Sequence, residues 1–208
     1  DFHTLAEYFT RIETRSKAAI NVGTFVGVGG VRDYVIGREN KRATAADMEQ
    51  MKTLVAQAMR EGALGLSSSL QYVPDRFATT DEIVELAKVA RQYGGVYLTH
   101  QRSEAGQIFE SMDEAFAVAE RAHIPTEIWH LKTAYKANWG KMPEVLRRIE
   151  AARARGLDVT ANQYPYTRAS NDLASCLPRG VREGTVDAVV VRRKDLSLRD
   201  RIKKERGD

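Results

Sequence analysis

The sequence predicts an α/β fold in which about five parallel strands alternate with helices, as part of an incomplete eight-stranded (β/α) barrel. Short apolar runs that suit buried strands alternate with amphipathic segments that suit helices, which is the pattern of a parallel sheet flanked by helices. The predicted helix ends at Gly62, Gly94, His123 and Gly156 are spaced by about one βα unit. A closed barrel usually needs about 250 residues, and the chain has 208. We therefore expect one domain, residues 1–208, that lacks the first and last portions of such a barrel.

Capping residues and glycines set the predicted helix boundaries. A threonine at a helix start accepts backbone hydrogen bonds, and a glycine commonly follows a helix end. Together with apolar periodicity, these signals predict helices that begin near Thr4, Thr44, Thr79 or Thr80, Ile108 and Val145, with a sixth after Leu196.

Five short apolar runs are predicted to form the strands. They cover residues 21–27, 63–67, 96–100, 126–130 and 157–162. A pair of glycines, Gly29 and Gly30, is predicted to end the first strand and to open a turn-rich stretch that continues to Ala43.

Composition restricts the class of protein. With 43% hydrophobic residues the chain can bury one sizeable core, and no apolar run approaches the roughly 20 residues of a membrane span. The first residues lack the basic start and apolar block of a signal peptide, and the single cysteine, Cys176, excludes an internal disulfide. The compartment stays open, with the cytoplasm favoured. Because the sequence does not begin with Met, we expect the true start to lie upstream.

The charge balance is mildly basic, with a net charge of +4. Much of the excess lies in residues 192–208, where eight Lys or Arg stand against four Asp or Glu. This tail is predicted to be a solvated helix. Nucleic-acid binding is not predicted, because no aromatic residues are interleaved with the basic ones.

Two histidines carry the strongest functional signal. His100 and His130 each close a predicted strand, and one predicted helix, residues 108–122, separates the two strands. A strand, a helix and a strand of this length form a parallel βαβ unit. Both imidazoles are therefore expected at the carboxyl edge of the sheet, where they suit a divalent metal such as Zn²⁺. The alternative is that each histidine is a satisfied core or loop residue.

Other polar residues follow the strand ends and are expected at the same rim. Lys132 can neutralise a substrate anion or polarise a carbonyl; the alternative is an exposed loop lysine. Tyr164 can donate a hydrogen bond to a developing oxyanion, or it packs against the rim. Arg102 and Glu104 are expected to pair and to orient the loop after His100.

Two small-residue motifs do not predict a function. The serine run at residues 67–69 lacks the G-x-S-x-G nucleophile elbow, so a serine nucleophile is not expected. The glycines in residues 27–30 do not form the G-x-G-x-x-G pattern of dinucleotide binding.

The chain resembles the N-acyl-D-amino-acid deacylase (D-aminoacylase) family in four blocks, which are EGALGLSSSLQYVP, YGGVYLTHQRSE, EIWHLKTAYKANWGK and GLDVTANQYPYTRAS. That family belongs to the metal-dependent amidohydrolase superfamily of distorted TIM barrels. The resemblance implies a hydrolase that acts on a non-peptide C–N bond and converts an N-acyl-D-amino acid to a carboxylate and a free D-amino acid. Two alternatives stay open: a cyclic-amide hydrolase of the dihydroorotase or hydantoinase kind, and a non-catalytic metal- or ligand-binding fragment.

The resemblance also implies roles for individual residues. The implied catalytic residues are Lys132 and Tyr164, the substrate-binding residues Arg102 and Ser170, and the metal ligands His100 and His130. The implied cofactor is Zn²⁺, as one or two divalent ions. The implied partner is a small N-acyl amino acid, and the oligomeric state stays open.

The remaining site residues of the family are expected outside this sequence. Its His-x-His pair and its metal-binding cysteine precede the region of resemblance, and its catalytic aspartate follows it. Cys176 does not match the ligand cysteine. Val28 and Asn162 stand where many members carry histidine and aspartate. We therefore expect the 208 residues alone to be inactive.

Overall fold

The computed structural model describes residues 2–170, 181, 186–195, 197–198 and 200, which form one sheet with helices packed against it. The strands are β1 (Val26–Gly27), β2 (Gly65–Ser69), β3 (Val96–His100), β4 (Thr126–Ile128) and β5 (Val159–Ala161). The α-helices are α1 (Leu5–Arg11), α2 (Val28–Val35), α3 (Ala45–Arg60), α4 (Thr80–Gln92), α5 (Ile108–Ala122), α6 (Met142–Ala154) and α7 (Val186–Lys194).

The five strands are parallel and lie in sequence order across the sheet. The register pairs Ser69 with His100 across β2 and β3, and Ile128 with Ala161 across β4 and β5. In the part of the chain that the structure describes, β1 and β5 each have a single strand neighbour, so the barrel is open there. The predicted α/β architecture with five parallel strands is confirmed.

Helices cover one face of the sheet. On β3, the buried Tyr97 belongs to the same apolar cluster as Ile83 of α4 and Val118 of α5. Because strand side chains alternate between the two faces, Leu98 and His100 point to the opposite face. A second cluster joins α5 and α6 to β4 and β5. Each large apolar side chain buried in these clusters contributes about 1.5–3 kcal/mol, which anchors the strands whose ends carry the site.

Threonine caps open three helices, as predicted. Thr44 and Thr79 each accept a hydrogen bond from the backbone N–H three residues further on, and Asp47 and Glu82 accept the backbone N–H of these threonines in return. This reciprocal capping box satisfies donors that a helix start leaves unpaired. Thr4 caps α1 through its side chain alone.

The stretch after β1 is helical, so the prediction of turns is wrong for Val28–Val35. Gly29 lies in the first turn of α2, where an added Cβ would be 1.8 Å from Oδ2 of Asp75. The glycine therefore allows a close approach between this helix and the loop after β2. Buried Val28 and Val31 supply the apolar face of α2, but one helix this short presents too few apolar positions for its period to stand out.

Several strand boundaries also differ from those predicted. β1 and β5 are shorter than expected, β2 runs from Gly65 to Ser69, and β4 ends at Ile128 instead of at His130. At Gly65, the first residue of β2, the strand lies close to β3. An added Cβ at this position would lie 2.0 Å from the carbonyl oxygen of Val96.

The end of the chain is described in part. Val186–Lys194 forms α7, whereas Cys176 and most of the predicted helix after Leu196 lie outside the described residues. Within the described ranges, no helix has the length and apolar character needed to cross a lipid bilayer.

Candidate metal and substrate site

His100 and His130 lie side by side at the carboxyl edge of the sheet. His100 is the last residue of β3, and His130 follows β4 by two residues. The centroids of their rings are 4.6 Å apart, and the ring planes meet at 82°. The predicted juxtaposition is confirmed, whereas the role of the two rings as metal ligands stays a prediction.

Asn162, just after β5, fixes the turn that carries His130. Its Oδ1 accepts the backbone N–H of His130 at 2.7 Å, and its carbonyl oxygen accepts the N–H of Leu131 at 2.8 Å. The Asn162 amide donates in turn to Oε1 of Glu127. These bonds hold His130 at a φ of 40°, which is uncommon for a residue other than glycine. The chain turns here, so β4 cannot continue to His130.

The ring of His100 is half-buried and has an unused nitrogen. Its Nε2 is buried and has no hydrogen-bond partner within the described residues. Burial disfavours the imidazolium and lowers the pKa of His100 to about 4, although the charge of Glu104 acts in the opposite direction. A neutral imidazole is the form that binds a metal ion, and a buried nitrogen without a hydrogen-bond partner is available to bind one.

Glu104, in the loop after β3, completes a cluster with the two histidines. Its Oε1 lies 2.8 Å from Nδ1 of His130. One potential ligand atom from each of His100, Glu104 and His130 lies within 4.8 Å of the other two. Imidazole nitrogens and carboxylate oxygens are among the donors that zinc binds in proteins. The residues present therefore fit a divalent metal ion.

Lys132 lies within the site instead of on an exposed loop. Its Nζ is 2.5 Å from Oε1 of Glu104 and 2.9 Å from Nδ1 of His130, and 20% of its side chain is exposed. The same ammonium lies 5.3 Å from the centroid of the Tyr164 ring, which is within the range of a cation–π contact. The alternative of an exposed loop lysine is wrong. The catalytic roles of Lys132 and Tyr164 stay predictions.

Arg102 pairs with a different carboxylate from the one predicted. Its guanidinium donates to Glu114 of α5 at 2.9 and 2.8 Å and to two backbone carbonyls just before α4. The expected pair with Glu104 is wrong, because α5 places Glu114 beside Arg102 while Glu104 turns towards Lys132. Arg102 still lines the cavity described next, and its role in substrate binding stays a prediction.

One cavity of about 1330 Å³ collects every residue predicted at the site. The loops that follow β2 to β5 form its walls. The predicted residues that line it are His100, Arg102, His130, Lys132, Tyr164 and Ser170. Aromatic side chains border it as well, among them Tyr72, Tyr135, Trp139 and Tyr166. The volume exceeds the roughly 300–1,000 Å³ of ordinary small-molecule pockets, as expected for a rim that is open on one side.

Two contacts of the site are absent from the sequence prediction. The sequence pattern pairs Glu104 with Arg102, and the resemblance marks Asn162 only as a departure from the aspartate that many family members carry. Both residues stand within four positions of a strand end, which is the one local signal that points to them. Their partners lie 26 to 32 residues away in sequence, and the path of the loops decides which of them meet.

Comparisons with known proteins identify relatives of the chain. No protein-family model matches the chain. The D-aminoacylase of Alcaligenes xylosoxydans xylosoxydans is 34% identical over 172 residues, which is 83% of this chain and 35% of that protein. The N-acyl-D-glutamate deacylase of the same organism is also 34% identical over 172 residues, with the same shares of each chain. The chain thus spans about a third of the length of these relatives.

Solved structures of the same kind match in three dimensions. The crystal structure of D-aminoacylase that defines a subset of the amidohydrolases matches with a TM-score of 0.75 and 34% identity. The match covers 79% of this chain and 34% of the D-aminoacylase chain. A second D-aminoacylase structure, from work on its binuclear metal centre, has a TM-score of 0.75. The N-acyl-D-glutamate deacylase of Bordetella bronchiseptica, solved with zinc and a phosphonate inhibitor, has a TM-score of 0.75 at 30% identity and covers 79% of this chain and 35% of its own.

An open parallel sheet with two imidazoles at its carboxyl edge, together with these matches, defines part of an amidohydrolase barrel. Within that class, the chain belongs to the N-acyl-D-amino-acid deacylase family, which contains the D-aminoacylases.

Proposed function

We propose that the full-length gene product is a metal-dependent hydrolase that removes the acyl group from N-acyl-D-amino acids. The observation that carries the proposal is the placement of His100, His130, Lys132 and Tyr164 around one cavity. The identity of 34% to proteins named as D-aminoacylase and N-acyl-D-glutamate deacylase supports this choice among amide hydrolases.

His100 and His130 are the proposed protein ligands for one or two divalent ions, with zinc the first candidate. Support comes from the buried, unpartnered Nε2 of His100 and from the 4.6 Å between the two rings. A bound ion of this kind supplies Lewis acidity, which polarises an amide carbonyl and makes water a nucleophile near neutral pH. The remaining ligands are proposed to come from segments of the full-length protein beyond this chain.

Lys132 and Tyr164 are proposed to bind and orient the substrate. Lys132 carries a fixed positive charge in a half-buried setting, where its attraction for a substrate carboxylate is stronger than in bulk water. The ring of Tyr164 lies beneath that ammonium and lines the same cavity. Its phenol is proposed to donate a hydrogen bond to the amide oxygen as negative charge develops there. Ser170 lines the same cavity and is a further candidate donor to the substrate carboxylate.

Amide hydrolysis has a simple balance at this site. The C–N bond of the substrate breaks, the acyl carbon gains the oxygen of water, and the nitrogen gains a proton. The products are therefore a carboxylate and a free amine. The proton carrier is proposed to be an aspartate from beyond this chain. Among the described residues, the carboxylate found beside the histidines and Lys132 is Glu104, which already contacts both Lys132 and His130.

An activity screen of the full-length gene product tests the proposal. The protein is incubated with N-acyl-D-amino acids, with their L-enantiomers and with cyclic amides, before and after removal of metal by a chelator. We expect release of free D-amino acid that stops on metal removal and returns with zinc. Turnover of cyclic amides alone, or metal-independent turnover, would contradict the proposal.

A further inference from the structure

We propose that Glu104 is a positioning residue that holds His130 and Lys132 in one fixed arrangement, and that it is not itself a metal ligand. The proposal rests on the proposed function in one respect, which is that Lys132 binds the substrate. The sequence pattern places Glu104 at the rim but pairs it with Arg102, and the resemblance to known deacylases gives it no role.

One oxygen of Glu104 serves both neighbours. Its Oε1 lies 2.5 Å from Nζ of Lys132 and 2.8 Å from Nδ1 of His130, and 11% of the side chain is exposed. An ionised carboxylate only accepts hydrogen bonds and an ammonium only donates them, so Lys132 donates to Glu104. Nδ1 of His130 lies within reach of both, 2.8 Å from Oε1 of Glu104 and 2.9 Å from Nζ of Lys132. We assign to the ring the tautomer in which Nδ1 donates to Glu104, which leaves Nε2 for a ligand.

This arrangement is the usual support of a metal-binding histidine. Such histidines almost always donate their second ring N–H to a carboxylate, a carbonyl or water, which fixes the tautomer and the ring orientation. If Glu104 bound the ion through the same oxygen, the ammonium of Lys132 would stand about 2.5 Å from a ligand atom. The repulsion between that ammonium and the ion would then weaken both interactions.

The backbone reinforces the role of Glu104. Its carbonyl oxygen accepts the N–H of Ala134 at 2.6 Å, which ties the loop after β3 to the loop after β4. The preceding residue, Ser103, is buried and donates its N–H to the hydroxyl of Ser111 on α5. Glu104 is therefore held from its own backbone, and it can impose a position on the side chains that it contacts.

The test compares variants of the full-length gene product by metal binding and by kinetics. Glu104→Gln keeps the shape and one acceptor oxygen but removes the charge that pairs with Lys132. Glu104→Ala removes both. Glu110→Gln, an exposed carboxylate in the first turn of α5, is the matched control for loss of one negative charge. Thermal unfolding of each variant identifies any that does not fold, and Glu104→Gln carries the test if Glu104→Ala fails.

Metal titration provides the first readout, which does not depend on turnover. We expect Glu104→Ala to bind the same number of zinc ions per chain as the unsubstituted protein, with an affinity reduced about 10–100-fold, as for other residues that orient a metal-bound histidine. We expect a smaller reduction for Glu104→Gln and none for Glu110→Gln. Loss of one bound zinc ion from both Glu104→Gln and Glu104→Ala would show that Glu104 is a metal ligand. An unchanged zinc affinity in both variants would show that Glu104 does not position His130.

Kinetics at saturating zinc provide the second readout. We expect Glu104→Gln to raise KM for an N-acyl-D-amino acid more than it lowers kcat, because Lys132 is no longer held for the substrate carboxylate. The variant Glu104→Gln combined with Lys132→Met should be no worse than Lys132→Met alone, since residues that act as one unit are not additive. Additive losses would overturn the proposal. If the unsubstituted protein shows no deacylation, the proposed function fails while the metal titration still decides the role of Glu104.

Discussion

Asn162 and His130 are joined by a hydrogen bond of 2.7 Å from the backbone N–H of His130 to the side-chain oxygen of Asn162. The bond links the end of β5 to the turn after β4 and holds His130 in a left-handed backbone conformation. Conformations of this kind cost about 1–3 kcal/mol and persist where the surroundings impose them. Asn162 is therefore part of what points the His130 ring at His100.

Substitution of Asn162 by alanine should loosen the metal site. Asn162→Ala removes the acceptor for the N–H of His130, which we expect to cost about 0.5–1.5 kcal/mol of unfolding free energy. It should also weaken zinc binding, because the ring of His130 is no longer fixed. Calorimetric titration of the full-length gene product with zinc measures the affinity. Asn40→Ala, in an exposed loop, is the control, and equal zinc affinity in the two variants would contradict this role.

Metal content should distinguish the proposed roles of His130 and Lys132, which are two positions apart in sequence. His130→Ala removes a ligand, so zinc content and deacylation should fall together. Lys132→Met removes a positive charge of the site but no proposed metal ligand. Zinc should therefore be retained, while turnover or substrate binding is lost. Elemental analysis of both purified variants beside their kinetics makes the comparison. Full zinc and full turnover in His130→Ala would show that the ligand assignment is wrong.

Loss of one member of the buried pair of Arg32 and Glu82 is expected to destabilise the protein strongly. The guanidinium of Arg32 lies 3.0 Å from Glu82, and the side chains are 1% and 9% exposed. Glu82 also accepts the backbone N–H groups of Ala43 and Thr79, so it joins the segment before α3 to the start of α4. Arg32→Met leaves this carboxylate buried without its cation, which typically costs about 3–5 kcal/mol.

Denaturant unfolding measures that loss. Arg38→Met is the control, because its ion pair with Asp33 is exposed and exposed pairs contribute at most about 1 kcal/mol. Equal effects of Arg32→Met and Arg38→Met on the free energy of unfolding would show that the buried pair has no special weight.

Two neighbouring glycines in α2 should respond in opposite directions to alanine. An added Cβ at Gly29 would overlap the Asp75 carboxylate at 1.8 Å, whereas one at Gly30 meets nothing within 4 Å. Gly30→Ala should therefore stabilise the helix by about 0.5–1 kcal/mol. Gly29→Ala should destabilise the protein, because Asp75 must move away from α2. Thermal unfolding of both variants gives the signs, and destabilisation by Gly30→Ala would be inconsistent with this packing.

The elements that local signals determine were predictable from sequence. β3 and α5 match the predicted residues 96–100 and 108–122, because an unbroken apolar run and a sustained helical period specify each one. The meeting of His100 with His130 followed from those two elements, since parallel strands in one βαβ unit end at the same edge.

Contacts between distant segments were not predictable in the same way. Arg102 and Glu104 have suitable charges and spacing for a local pair. In the structure, however, Arg102 pairs with Glu114 on α5, and Glu104 pairs with Lys132 after β4. The two glycines of α2 locally favour a turn. The presence of Gly29 inside a helix is explained by the close approach of Asp75, which is distant in sequence. The left-handed turn at His130 likewise depends on Asn162, which is 32 residues away.

Zinc-edge anomalous diffraction from crystals of the zinc-loaded, full-length gene product would locate the metal ion relative to the two histidines. We predict an anomalous peak about 2.0–2.1 Å from one ring nitrogen of His100 and of His130, with Glu104 on the far side of the His130 ring and not bonded to the ion. A zinc peak that touches only one of the two histidines, or no zinc peak in this cavity, would show that His100 and His130 do not bind the ion together.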